Sequence, residues 1–396
     1  MADGRSRGDS SHQPLAERTW IEVVFPRSSA YPAAAMRVDS YRAGRGLGVP
    51  CLLCALVAGL ALGAQRKPPP SSHDVEHGRE LYARMCAVCH GPNGEGYRAD
   101  QAPRIADPDF LSAATDQFLR RSIAQGRTGT TMSAWSSERG GPLSNADVDA
   151  LVALLRSWDR APAARLDERP STGDATRGAE VYAAECERCH GERGRGGPNI
   201  QIGNPDLLAS VSNGFLRYAI RKGRAGTSMS GFEDALGNDR IEDLVAVLRT
   251  FEHPPRPGEP LAGRPPPIPL GPVPLNPKGP PPVGFKTYPE MTSVETVKGQ
   301  LDAGARVALL DARAPSDYTA EHIAGAVSVP FYDPAPYITA LPKNAWLVCY
   351  CACPHAESGE LAQRLVAAGF SKVTVLDEGL RVWKAKNYPT RTGEKP

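Results

Sequence analysis

A chain that writes the same stretch of sequence twice is committed to folding the same module twice. Residues Phe118 to Trp135 read FLRRSIAQGRTGTTMSAW and Phe215 to Phe232 read FLRYAIRKGRAGTSMSGF, identical at ten of eighteen positions. Upstream of each window stands a second matching pair, Cys86-Ala87-Val88-Cys89-His90 and Cys186-Glu187-Arg188-Cys189-His190, one hundred residues apart. Self-similarity at a fixed spacing marks repeated structural units. Whatever chemistry the first unit carries, the second is expected to carry too.

The C-x-x-C-H spacing is that of c-type haem attachment. Two thiols fix one porphyrin through its vinyl groups, and the adjacent imidazole is placed under the iron as proximal ligand. Cys86 and Cys89 with His90, and Cys186 and Cys189 with His190, therefore predict two covalently attached haem c groups. Each repeated window also holds one methionine, in a chain with only six. Met132 and Met229 follow their histidines by about forty residues, where a sixth ligand is needed. A thioether opposite imidazole raises the iron's reduction potential, and the closed coordination sphere suits electron transfer better than binding of small molecules.

Other uses of these residues fit less well. A zinc half-site needs two further ligands, and neither segment holds another cysteine downstream of its motif. A thioredoxin-like dithiol belongs in a βαβ setting, whereas these motifs close helical patterns. A lone methionine is usually core packing, but two scarce ones at matched positions favour ligation.

Residues 73–160 and 173–252 resemble two class I cytochrome c domains. In each, an opening helix (Gly78-Arg79-Glu80-Leu81-Tyr82; Gly178-Ala179-Glu180-Val181-Tyr182) leads into the haem motif. A closing helix carries an apolar stripe, Val148, Leu151, Val152 and Leu155 in one copy and Ile241, Leu244, Val245 and Leu248 in the other, which is core. The resemblance implies all-α folds whose first and last helices cross beside the haem. It also implies that the carbonyls of Pro103 and Pro198 orient the proximal imidazoles.

Residues 46–64, GLGVPCLLCALVAGLALGA, form the one long apolar run, with Arg37, Arg42 and Arg45 before it and Arg66-Lys67 after it. This predicts an export signal, cleaved near residue 64, or a retained anchor, since nineteen apolar residues approach the roughly 20 that span a bilayer. The basic flank stays cytoplasmic, so the haem modules are expected in the periplasm. Cys51 and Cys54 inside the run read as apolar filler. Residues 1–35 are a polar leader, and translation is expected to begin at Met36.

Between Glu252 and Gly284 lie fourteen prolines, which reads as a linker over residues 253–284. In polyproline form it would span about 100 Å at roughly 3.1 Å per residue, and such a tether suits occasional contact between domains. Residues 285–393 follow another grammar. Strand-like runs (Val307 to Leu310, Trp346 to Tyr350, Val373 to Leu376) alternate with helical stretches such as Gly359 to Ala368, which predicts an α/β domain with a parallel sheet. The stretch LLDARAPSDYTAEHIAGAVSVP, with Asp311, Arg313 and His322-Ile323-Ala324-Gly325-Ala326, resembles the entry motif of rhodanese-like domains, and Glu378-Gly379 with Trp383 resembles that family's closing segment. The fold class is thus multidomain: two all-α cytochrome c domains plus one α/β rhodanese-like domain.

The rhodanese resemblance implies that Cys351, after a strand and before a helix, takes sulfane sulfur as a persulfide, its anion held by loop amides and the helix N-terminus. Cys349 on the strand reads as filler. The loop has no arginine, which argues against thiosulfate as donor. It has instead Cys353, expected to resolve the persulfide or carry sulfur onward, and His355, expected to exchange protons with either. The same two side chains equally suit a loop-shaping role, and a Cys-x-Cys-x-His metal site is a third use.

Charge excludes one partner class. Residues 73–162 hold ten basic and twelve acidic side chains, which gives no footprint for nucleic acid. Three functions remain. The chain is an electron carrier between a redox protein donor and acceptor, with a rhodanese-like accessory; or a sulfur-compound redox enzyme in which Cys351 holds sulfur and the haems accept electrons; or a sulfurtransferase with accessory haem modules. The minimal reading is the first.

Overall fold

The computed structural model describes residues 71–96, 102–159, 161–251, 273, 276–352 and 355–396. The apolar run 46–64, Met36, most of the Pro-rich segment and Cys353 lie outside the described residues. No helix of the described residues is long and apolar enough to cross a membrane.

The first module is five helices: α1 (Ser72–Met85), the single turn α2 (Ala87–His90), α3 (Pro108–Ala113), α4 (Asp116–Gln125) and α5 (Asn145–Trp158). The second repeats them as α6 (Ala175–Glu185), α7 (Glu187–His190), α8 (Pro205–Leu208), α9 (Asn213–Lys222) and α10 (Glu233–Thr250). Starts are set by side-chain caps at matched positions. Thr115 and Ser212 each accept from the backbone N–H three residues on, at 3.1 Å. The opening and closing helices cross at a glycine. A Cβ on Gly78 would lie 2.2 Å from the Ala150 carbonyl oxygen, and one on Gly178 would lie 2.0 Å from that of Asp243, so no larger residue allows this approach. The apolar stripes of α5 and α10 are buried as expected, with Val148, Ile241 and Val245 fully inside and Leu151 2 % exposed.

A clamp that patterning does not reveal fixes each module's middle. Arg156 at the end of α5 donates to the carbonyls of Leu111 (2.7 Å) and Ala114 and to Asp116 (2.7 Å). Arg249 makes the equivalent bonds to Leu208 (2.6 Å), Val211 (2.7 Å) and Asn213 (2.7 Å). Charged donors satisfy the carbonyls that short helices leave unpaired. Between the modules the chain is held by Arg217, which is 2 % exposed; it reaches the carbonyls of Asp167 (2.6 Å) and Arg169 (2.8 Å) and pairs with Glu242 at 2.6 Å.

The last domain runs β1 (Met291–Thr292), α11 (Val294–Asp302), β2 (Val307–Asp311), α12 (Pro315–Ala320), β3 (His322–Ile323), β4 (Ala326–Ser328), α13 (Ala335–Ile338), β5 (Trp346–Tyr350), α14 (Ala356–Ala367), β6 (Val373–Leu376), α15 (Gly379–Ala385) and β7 (Thr390–Arg391). Its main sheet is parallel, in the order β1-β6-β5-β2-β4, with Leu309 facing Val348 and Cys349 facing Val375. Continuous apolar strands buried on both faces are what such a sheet requires. Helix α14 starts three residues before the expected Gly359. The end of the Pro-rich segment belongs to this domain: Arg306 N–H donates to Pro280 at 2.9 Å, and Asn276 Nδ2 to Gly304 at 2.7 Å.

The α/β domain is not held at a distance. It packs on the first module, with α14 beside α2 and with Trp135, Met132 and Val88 in the same apolar cluster as Phe331 and Tyr332. A tether allowing only occasional contact therefore does not describe these two domains, because apolar surface next to the first C-x-x-C-H motif is buried between them.

Candidate functional site

In each module the opening helix ends at the first motif cysteine, and one further turn carries the rest. The N–H groups of Cys89 and His90 both bond the Cys86 carbonyl, at 3.1 and 2.9 Å, as those of Cys189 and His190 bond Cys186 at 3.1 and 3.0 Å. Residues three apart share a helix face, so the two thiols stand together with the imidazole beside them. None of the four is in a disulfide. Burial pushes the Cys86 thiol up to about 12 and Cys186 up to about 11. Tyr82 and Tyr182 brace the turn, each donating its hydroxyl to the glycine carbonyl after the histidine, at 2.6 and 2.8 Å.

Both imidazoles are buried, and burial pulls His90 and His190 below the ordinary histidine range against the opposing effect of a backbone hydrogen bond. His90 Nδ1 pairs with the Pro103 carbonyl at 3.0 Å. In the second module the acceptor is Ile200, at 2.9 Å from His190 Nδ1, and not the expected Pro198. That loop is shorter, and the Asn199 N–H bonds the Cys189 carbonyl at 3.0 Å beside the ring, with the Ile200 carbonyl facing Nδ1. Loop length sets the acceptor, and proline identity does not. A neutral ring donating through Nδ1 keeps the Nε2 lone pair for a metal.

The repeated methionine windows form one loop twice. Helices α4 and α9 end at Gly126 (φ 62) and Gly223 (φ 66). Arg127 N–H then bonds the Met132 carbonyl at 2.9 Å, Thr130 Oγ1 bonds the Arg127 carbonyl at 2.8 Å, and Met132 N–H bonds Thr130 Oγ1 at 3.1 Å. Arg224, Thr227 and Met229 repeat these bonds at 2.7, 2.8 and 3.1 Å. A Cβ on Gly126 would meet the Met132 carbonyl oxygen at 2.5 Å. The repeated Gly-Arg-x-Gly-Thr-x-Met is thus what the loop geometry demands. Paired thiols, an Nδ1-anchored imidazole and a thioether presented by a hydrogen-bonded loop make a donor set that fits haem c.

The modules meet through an aromatic cluster, with Phe118 and Phe215 ring centroids 5.5 Å apart and Phe110 and Phe215 6.4 Å apart. In the α/β domain Cys351 directly follows β5 and is fully buried, 3.3 Å from Ser358 Oγ on α14, with its carbonyl accepting from Leu380 N–H at 2.9 Å. His355 precedes α14; its Nε2 is 3.7 Å from Asp377 Oδ1, and its buried Nδ1 has no hydrogen-bond partner among the described residues. Burial pushes the Cys349 thiol well up, as inert filler requires. No cluster of three or more metal-binding side chains occurs among the described residues. Asp311 and Arg313 form a buried ion pair at 2.6 Å that Tyr350 joins at 2.7 Å, so these motif residues hold the strand ends together.

Comparison with known proteins agrees with this division. Residues 73–155 and 173–247 match the family model described as cytochrome c oxidase, cbb3-type, subunit III, and residues 293–386 match the rhodanese-like domain model. The Cbb3-type cytochrome c oxidase subunit FixP of Azorhizobium caulinodans is 29 % identical over 195 residues, 47 % of this chain and 63 % of the relative. The chain thus spans under two thirds of that relative's length. The thiosulfate dehydrogenase electron acceptor of Stutzerimonas stutzeri is 29 % identical over 189 residues, 46 % of this chain and 83 % of the relative. The solved rhodanese-like domain of an Anabaena sp. protein is 31 % identical, covering 26 % of this chain and 78 % of its own, with a TM-score of 0.24.

Proposed function

Because the chain is two c-type cytochrome domains followed by a rhodanese-like domain, we propose that it is a dihaem electron carrier passing single electrons between a redox protein donor and acceptor. The observation that carries this reading is the duplicated constellation, with His90 and Met132, and His190 and Met229, presented by the same hydrogen bonds on two modules that share an aromatic interface. Cys86 and Cys89 would hold one haem c, and Cys186 and Cys189 the other. Bound haem c supplies one-electron oxidation and reduction at a closed coordination sphere. The chain's own residues orient the imidazoles through the Pro103 and Ile200 carbonyls.

The apolar run 46–64 and its basic flank support export, with the modules in the periplasm and the run kept as an anchor or removed. Sequencing the mature N-terminus decides between these. Haem-loaded protein recovered in the cytosol would contradict export.

The packing of the rhodanese-like domain on the first module favours a second reading, in which Cys351 holds sulfur whose oxidation feeds the haems. The sulfur transfer itself is redox-neutral: a persulfide R–S–S⁻ and the Cys351 thiol give R–S⁻ and Cys351–S–SH. The named role of the Stutzerimonas relative, accepting electrons from a thiosulfate dehydrogenase, also favours sulfur-linked electron flow. Adding a persulfide to the oxidised holoprotein separates the two. Haem reduction that depends on Cys351 supports the sulfur enzyme; sulfur uptake without haem reduction leaves the electron carrier with an accessory domain.

A further inference from the structure

The tip of each methionine loop is held by the other module. Thr128 donates its N–H to Asp206 Oδ2 at 2.8 Å, and its carbonyl accepts from Asn204 Nδ2 at 3.0 Å. Ala225, the same position of the repeat, has its carbonyl bonded by Arg104 Nη1 at 3.1 Å. The contact is reciprocal although the groups differ. Asn204 is itself fixed, its Oδ1 capping α8 by accepting from Asp206 N–H (3.0 Å) and Leu207 N–H (3.2 Å). Asp206 also faces Arg127, whose guanidinium is lowered to about 10 by burial while the Asp206 charge acts in the opposite sense.

Beyond these tip bonds the base of each loop is held by Thr130 or Thr227 Oγ1 and by an arginine over an aromatic ring, Arg127 over Phe118 at 5.6 Å and Arg224 over Phe215 at 5.9 Å, whereas the tip itself has no such packing among the described residues. Thr128, Gly129 and Thr131 are exposed, as are Ala225 to Ser228. Segments with few buried apolar contacts open at low cost. A methionine presented by such a loop is held by its local bonds and, through the tip, by the other module.

We infer that Asn204 and Asp206 of the second module are positioning residues for Met132, and that Arg104 of the first module is one for Met229, so that each module's distal ligation depends on the other. This rests on the reading of Met132 and Met229 as iron ligands. None of the three residues belongs to either donor set.

The test uses the full holoprotein. In a Met229→Ala background the methionine-to-iron absorption band reports Met132 alone. Adding Asp206→Ala is expected to weaken that band and lower the midpoint potential of the first haem, with the second haem's potential unmoved. Asp206→Ser, whose short hydroxyl does not span the gap to Thr128, gives the same loss without an apolar residue in α8. Asp206→Asn, which keeps an acceptor for Thr128, restores the band. In the mirror background, Met132→Ala with Arg104→Gln weakens the Met229 band. If Met132→Ala alone leaves its haem's band and potential unchanged, the ligand reading falls. If Met132→Ala acts as expected but Asp206→Ala and Asp206→Ser both leave the first haem's band and potential intact, the inter-module inference is overturned.

Discussion

Trp135 and Tyr332 face each other across the boundary between the first cytochrome domain and the rhodanese-like domain, ring centroids 5.6 Å apart and planes tilted by 57°, both nearly excluded from solvent. Trp135 stands three residues after Met132, and burial pushes the Tyr332 hydroxyl well up. Ser316 Oγ donates to the Ala134 carbonyl at 3.0 Å beside them. Truncating Trp135 to alanine removes the largest side chain of this joint, at a cost of about 3 kcal/mol. The rhodanese-like domain should then be released, read as faster proteolysis in the Pro-rich segment and a separate unfolding transition.

The same joint should respond to pH. Burial pushes the Asp317 carboxyl up against the pull of Arg313, while Ser133 donates to it from the other domain. A raised folded-state value means that the folded protein binds this proton more tightly than the unfolded chain, so stability falls as pH rises from the ordinary carboxylate range through the folded value. Asp317→Asn, which keeps an acceptor for Ser133, should flatten that slope. Thermal unfolding from pH 4 to 8 would show equal slopes for the two proteins if Asp317 does not contribute.

Gly126 sits at φ 62 with the Met132 carbonyl where a Cβ would go. Gly126→Ala should cost at least about 1 kcal/mol from the backbone conformation alone, and more from the clash. The first haem should lose its methionine band while the second keeps its own. Equal loss at both haems would point to global unfolding.

Cys351 is expected to accept sulfane sulfur. Cys351→Ser should abolish labelling by a persulfide donor, and mass spectrometry should find the added sulfur on this residue in the parent protein. Cys353→Ser should slow release or disulfide capture while leaving the first transfer intact. Thiosulfate should be a poor donor because the loop has no arginine. Efficient turnover with thiosulfate contradicts that.

Much of this was legible in the sequence because local rules were strong. The haem motifs, the methionine windows and the strands from Val307 and Trp346 declare themselves by spacing and periodicity. What escaped depends on contacts between distant segments. The carbonyl that meets His190 is decided by loop length, so Pro198 looked right and Ile200 takes the place. Arg156 and Arg249 carry a repeated clamp, yet an arginine at a helix end reads as ordinary surface charge. The docking of the rhodanese-like domain follows from Met85, Val88 and Trp135, where the second module has Glu185, Arg188 and Phe232. That difference within the repeat was visible, but nothing in one sequence says which surface covers it.

A dihaem carrier of this kind holds two haems of one type, each cycling by a single electron. Purified holoprotein should give two haems per chain in a pyridine haemochrome assay, none extractable into acidic acetone. A spectroelectrochemical titration should show two reversible one-electron waves from low-spin iron. One haem per chain, or high-spin iron that does not return its electron to an oxidant, would rule out a dihaem electron carrier.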